Sequence, residues 1–444
     1  MDLKHLAAPF ASAALIALGA AMPAAATDRP DLGPRPQFPE TDLAAAELGQ
    51  LLFYDRILSG NRNIACSTCH HPTLGTSDGL SLGLGEGGIG LGPKRVVDPA
   101  NPPEQRIPRN APGLWNLGAR EFTVMFHDGR LEDDASFPNG IRTPLGEDMV
   151  AGFDDALAAQ AMFPVLSADE MAGHYSENEV AEAVRLGQLS QPGGAWDRIA
   201  ARVAAVPEYR SRFDTVLGQG APITFAEIAN VLADFIRFEW RADMSPFDRY
   251  MLGEADLPTP ALRGLALFYG KGECSSCHSG WLQTDHGFHA LGVPQFGPGK
   301  AARFEAHHRD EGRIRVTGDP ADAFAFRTPS LRNVASTAPY GHSGAFATLD
   351  SMVRHHLDAR RSLDHYDRLE AVLPDLPGKQ DWLVQDSAAE REVLVQAVEI
   401  APLSLTDTEI GEIVAFLEVL TDQAGVDGRL GVPEQVPSGL PVDR

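Results

Sequence analysis

Residues 65–71 read Ala-Cys-Ser-Thr-Cys-His-His. Two cysteines three apart, with a histidine directly after, admit three readings. In an exported chain a disulfide is the default. Paired Cys-x-x-Cys is a zinc-ligand pattern, and Cys-x-x-Cys-His is the attachment pattern of a c-type haem. The other cysteines separate these readings, because all four fall into two copies of one pattern: Cys66-Ser67-Thr68-Cys69-His70 and Cys274-Ser275-Ser276-Cys277-His278. Two thiols on one helical turn can each form a thioether with one vinyl of a haem, and the next residue then brings an imidazole under the iron. Neither a disulfide nor a zinc site needs a histidine at that offset. The copies begin at 66 and 274, too far apart for one compact zinc knuckle. They read as two covalent haems c, with His70 and His278 as proximal iron ligands. His71, pointing elsewhere on the turn, reads as a surface or propionate contact.

The chain has 444 residues, a formal charge of −24 and a pI of about 4.9. That balance argues against nucleic acid, whose phosphates are gripped by Lys and Arg, and suits a basic protein partner. With 43 Gly and 33 Pro, long ordered loops between helices are expected rather than a strand-rich core. Lys4, an apolar run from Leu6 to Met22, and an Ala-x-Ala site before residue 27 read as a cleaved secretory signal over residues 1–26. No later stretch is long and apolar enough to span a membrane, so the mature protein is expected in the periplasm.

The two halves repeat. After the first motif come RNAPGLWNL (109–117) and FHDGR (126–130); after the second come RTPSLRNV (327–334) and GHSGA (341–345). The expected fold is mainly α, two cytochrome-c-like haem domains with long ordered loops: 27–244, 245–424, and a tail over 425–444. Apolar spacing predicts helices within 223–240, within 347–358 behind Thr348, and within 405–422 behind Thr406. On the second of these, Leu349, Met352, Val353 and His356 share one apolar face, and His355 lies about 100° away from it. The formal G-x-G-x-x-G at Gly83, Gly85 and Gly88 lacks a strand–turn–helix frame and reads as a flexible loop.

These phrases, with ELGQLLFYDRILSG (47–60) and TAPYGHSGAFATL (337–349), resemble the bacterial di-haem cytochrome c peroxidases and their MauG-like relatives over most of the mature chain. The resemblance implies that the His278 haem transfers electrons and the His70 haem meets peroxide. His356 falls where the peroxidases place an axial Met and MauG-like enzymes a Tyr, and is expected as the sixth ligand of the second haem, ahead of Met352. Many family members block the first iron with a histidine on the following loop. Here no histidine lies between His71 and His127, so that iron is expected to be open. Gln160 and Glu170 match the family's distal Gln and Glu, Glu170 serving as acid–base group; without the resemblance, Glu170 reads as part of a helix cap in Ser167-Ala168-Asp169-Glu170.

A calcium ion between the haems would take the Asn110 side chain and the carbonyls of Thr337 and Pro339, oxygen donors that suit a hard cation. His127 stands at the family's bridging Trp, a departure that Trp115 or Trp281 could offset. His342 matches a family histidine near the first pocket or serves structure, and the 306–310 histidines read as solvated.

The implied function is hydrogen peroxide reduction to water with electrons from a small cytochrome c or cupredoxin. The alternative is a MauG-like enzyme that oxidises aromatic residues of a partner protein; a plain electron carrier would need both irons blocked. The family often forms homodimers, an expectation that no residue pattern here marks on a surface.

Overall fold

The computed structural model describes residues 29–302 and 304–444, so the signal-peptide reading lies outside the described residues. The protein is mainly α. Strand is confined to short antiparallel ladders: Gly88–Ile89 with Val96–Val97, the meander Val124–Met125, Leu131–Asp133 and Ile141–Arg142, and Phe288–His289 with Phe326–Arg327 in the register Phe288↔Arg327.

Two hydrophobic cores are built on the same device, a crossed helix pair. In the first, α1 (Leu43–Phe53) packs on α2 (Phe225–Glu239), which is capped by Thr224. In the second, α3 (Thr259–Phe268) packs on α5 (Asp407–Glu418); between them in sequence runs α4 (Leu349–Leu357). Each crossing is closed by a glycine. A Cβ on Gly49 would stand 1.8 Å from the Val231 carbonyl oxygen, and one on Gly264 would stand 1.8 Å from that of Glu412. Only hydrogen fits there, so the backbones approach closely and seat Phe235 and Phe416, four residues on, against the partner helix. The sequence repeat is therefore also a packing repeat.

The helix ends follow their caps. The Thr348 hydroxyl accepts from Ser351 N–H, and Thr406 forms a reciprocal box with Glu409; such caps stabilise by about 1 kcal/mol each. The two halves are joined by a buried ionic cluster. Arg109 grips Asp310 with two bonds, at 2.6 and 2.9 Å, and Asp128 at 2.7 Å. Burial works to raise the Asp310 carboxyl, but Arg109 outweighs it and holds that group well below the usual range. Near residue 245, Arg332 pairs with Asp248, both buried, beside the Ser245 cap of the helix Pro246–Met251.

Two expectations need correction. The 75–95 loop is not a flexible excursion: Leu80, Leu82 and Leu84 are fully buried, and the Ser81 hydroxyl donates to Gly344 O and accepts from Val372 N–H in the second half. Nor is 425–444 a loose tail. After a short helix, Gln423–Asp427, it returns to the first core, with Val436 buried and Val432, Leu440 and Val442 packed against that core.

Candidate functional site

The second Cys-x-x-Cys-His turn lies near the surface, with Ser276 exposed and Cys277 half-buried. His278 directs Nδ1 at the Gln283 carbonyl, 3.1 Å away. That bond orients the ring and leaves Nε2 without a partner among the described residues. From α4, His356 directs Nδ1 at the Met352 carbonyl at 2.9 Å. The centroids of the two rings are 6.4 Å apart. One metal ion held between two imidazoles at about 2 Å from each nitrogen gives roughly this separation. His278 and His356 thus fit a shared iron. Burial, then the proximity of His356, pushes the His278 imidazole down to about 4, so it is neutral and able to ligate. His355, about 100° round α4, is buried and bound to Leu291 O at 3.0 Å.

The first motif is deeper: Ser67 and Thr68 are fully buried. His70 repeats the orientation of His278, with Nδ1 directed at Thr76 O at 2.9 Å. His71, expected at the surface or on a propionate, is 1% exposed, and its Nδ1 pairs with the Thr73 hydroxyl at 2.7 Å. It caps the single turn Pro72–Leu74, while its Nε2 is buried without a hydrogen-bond partner among the described residues. Burial drives the Cys66 and Cys69 thiols up to about 12; for Cys69 the nearby carboxylates of Asp78 and Glu170 add to the rise. Glu170 therefore lies within electrostatic reach of this motif.

Glu170 stands on a π-turn, Ala168–Ala172, and not in a helix cap: Ser167 makes no side-chain cap bond. The glycine-rich loop braces this turn. Glu86 N–H donates to Asp169 O at 2.9 Å, and Gly85, at φ +56°, lies so close that a Cβ would meet the same oxygen at 2.0 Å. Burial raises the Glu170 pKa against the opposing charges of Arg130 and Lys300. Gln160 lies in the last turn of the helix Ala156–Ala161, its Oε1 buried without a hydrogen-bond partner. Trp115 Nε1 is likewise buried and unpartnered. Arg327 is held only by long bonds to the Phe126 and Thr328 carbonyls, with no carboxylate partner among the described residues, and burial lowers it to about 10. This half-buried guanidinium, which also faces the Phe122 ring, fits an anionic haem propionate. Sequence reading passed over Arg327; its signal was a cation inside the phrase that the two halves share.

At the junction, Asn110 N–H donates to His342 O at 2.8 Å and its Nδ2 to Leu80 O at 2.7 Å, while Oδ1 accepts no bond among the described residues. The 336–337 turn packs on Gly75 and Gly113 of the first half. His127 donates through Nε2–H to Asn110 O at 3.0 Å. Burial, then Arg109, lowers it to about 4. His342 lies flat on Phe326, centroids 3.6 Å apart, and is buried and neutral. The expected solvated histidines differ in part: His307 is half-buried between Glu305 and Glu311.

Comparison with known proteins accords with this arrangement. A family model described as di-haem cytochrome c peroxidase matches residues 43–256. The cytochrome c551 peroxidase of Nitrosomonas europaea is 30% identical over 340 residues, 76% of this chain and 80% of that protein. The chain belongs to the di-haem cytochrome c peroxidase family. It is an oxidoreductase of that family, and the family carries two haems c. The methylamine utilization protein MauG of Methylorubrum extorquens is 29% identical over 393 residues, 88% of this chain and 82% of that protein. A crystal structure of a MauG-like protein associated with microbial copper homeostasis superposes with a TM-score of 0.58 at 26% identity, covering 90% of this chain and 96% of that one. Among the described residues no helix is long and apolar enough to cross a membrane.

Proposed function

We propose that this member of the family is a periplasmic peroxidase that reduces hydrogen peroxide to water with electrons from a small cytochrome c or cupredoxin. In this reading the halves are two haem domains. Cys66, Cys69 and His70 hold the haem that meets peroxide; Cys274, Cys277, His278 and His356 hold the haem that receives electrons. The haems supply the iron and the electron transfer.

The observation that carries the reading is the unlike surroundings of the two motifs. The second, near the surface, is faced by a second histidine at ligation distance, which suits electron transfer. The first, buried, has Glu170 within electrostatic reach, and its loop carries no histidine. Glu170 takes a proton from the near oxygen of peroxide and returns it to the far one; burial raises its pKa and so helps it hold that proton. Gln160 orients the peroxide. Two protons and two electrons then complete two waters. Asn110 Oδ1 with the Thr337 and Pro339 carbonyls would hold a calcium ion between the halves. The acidic surface suits a basic donor.

The test is steady-state oxidation of a reduced small cytochrome c by peroxide: multiple turnovers per enzyme support the reading, and none would end it. A second reading, oxidation of aromatic residues of a partner protein, is favoured by histidine instead of methionine at 356 and by the likeness to MauG. It would show as peroxide consumption that ignores the cytochrome.

A further inference from the structure

The segment after α5 is tied to the first half at every few residues. Glu239, at the end of α2, accepts the N–H groups of Arg429, Leu430 and Gly431 at 2.6–2.9 Å. Gln50 of α1 donates to the carbonyls of Leu430 and Gly431. Ser438 donates to Asp55 at 2.7 Å, and the other oxygen of Asp55 accepts from Tyr209 at 2.6 Å. The path ends on the first Cys-x-x-Cys-His turn. Asp443, its side chain 8% exposed, accepts from the Thr68 hydroxyl at 2.6 Å and pairs with Arg56 at 2.5 Å. Thr68 lies between Cys66 and Cys69, and its hydroxyl oxygen accepts the Ala65 N–H at 2.9 Å. A buried carboxylate is therefore fixed behind the turn. Among the described residues the second motif has no such device: its Ser276 is exposed and donates to its own turn, at Glu273 O.

We propose that the Asp443–Arg56 pair, docked on the first motif through Thr68, sets the reduction potential of the haem held there and leaves the other haem untouched. Adding an electron beside a buried negative charge is opposed, and the interior screens that opposition weakly. Arg56, 23% exposed, offsets part of it from the other side of the carboxylate. Neutralising the acid therefore moves the potential up, and neutralising the base moves it down. A strap that acted only by holding the turn would shift both variants the same way, through looser packing.

The inference rests on haem attachment at Cys66 and Cys69 and not on the substrate, so the test uses potentials and not turnover. Both haems of the full-length holoprotein are titrated spectroelectrochemically at pH 8 in Asp443→Asn, Arg56→Gln and the double variant. Asparagine keeps an oxygen for the Thr68 hydroxyl and loses only the charge. The first potential is expected to rise in Asp443→Asn, fall in Arg56→Gln and lie near the native value in the double variant, with the second potential constant. No shift in the single variants, shifts of one sign, or equal shifts at both haems would overturn the proposal. Should Asp443→Asn fail to load the first haem, Arg56→Gln decides alone: a downward shift supports the pair, and no shift overturns it.

Discussion

Replacing His356 with alanine tests the arrangement around the second motif. With its Nδ1 bound to the Gln283 carbonyl, His278 keeps its orientation in the variant. The 6.4 Å between the two rings allows about 2 Å of metal–nitrogen bond on either side. An alanine methyl ends several ångströms short of that position and leaves space for a water molecule. Met352 cannot replace the lost ligand, because it stands four residues back on α4, about 6 Å along the axis. The native protein is expected to show one low-spin and one high-spin haem, and His356→Ala should show two high-spin haems. Integrated electron paramagnetic resonance at cryogenic temperature reads this as a doubling of the high-spin signal and loss of the low-spin one. His356→Met should keep a low-spin second haem with a raised potential, as Met/His ligation does. His355→Ala, which removes a buried ring bound to Leu291, should cost stability and leave both signals in place. An unchanged low-spin signal in His356→Ala would refute the assignment.

Glu170→Gln should keep both haems and lose about 10²–10⁴-fold in peroxide turnover, the usual worth of a positioned acid–base group. In the native enzyme turnover should rise with pH through a carboxyl titration above the ordinary value, because burial raises the Glu170 pKa; that limb should be absent from the variant. Stability should fall in acid. His127 and His342 are lowered to about 4 and about 3 when folded, so below pH 6.5 the unfolded chain binds protons that the folded one refuses. Each then costs about 1.4 kcal/mol per pH unit down to its folded value, and denaturant midpoints at pH 7.5 and 5 would read the slope; equal midpoints would contradict it. Asp248→Ala strands the Arg332 guanidinium in the interior and should destabilise by about 3–5 kcal/mol, measured by chemical unfolding.

Much of the site could be read from short-range pattern. The haem motifs depend on a three-residue spacing, and the helices near 225, 349 and 407 on caps and apolar periodicity, so His356 and His355 could be assigned to different faces, about 100° apart, before any contact was known. What escaped reading has one physical cause, which is dependence on residues far along the chain. The glycine-rich 75–95 loop looks mobile locally, but its leucines and Ser81 find partners near 297, 344 and 372. Residues 425–444 have no periodicity, and their order comes from α1, α2 and the first haem motif. The Ser167–Glu170 phrase has the letters of a helix cap, but the turn is a π form braced at Asp169 by Gly85 and Glu86 from far along the chain.

Rapid mixing of the fully oxidised protein with one equivalent of hydrogen peroxide, followed by a reduced small cytochrome c, decides whether the first haem is open to peroxide and whether a cytochrome supplies its electrons. The expected result is an immediate change in the haem absorbance bands without prior reduction, then oxidation of the cytochrome over many cycles as more peroxide is added. No reaction until the second haem has been reduced, or a fast reaction after which the cytochrome stays reduced, would contradict the account.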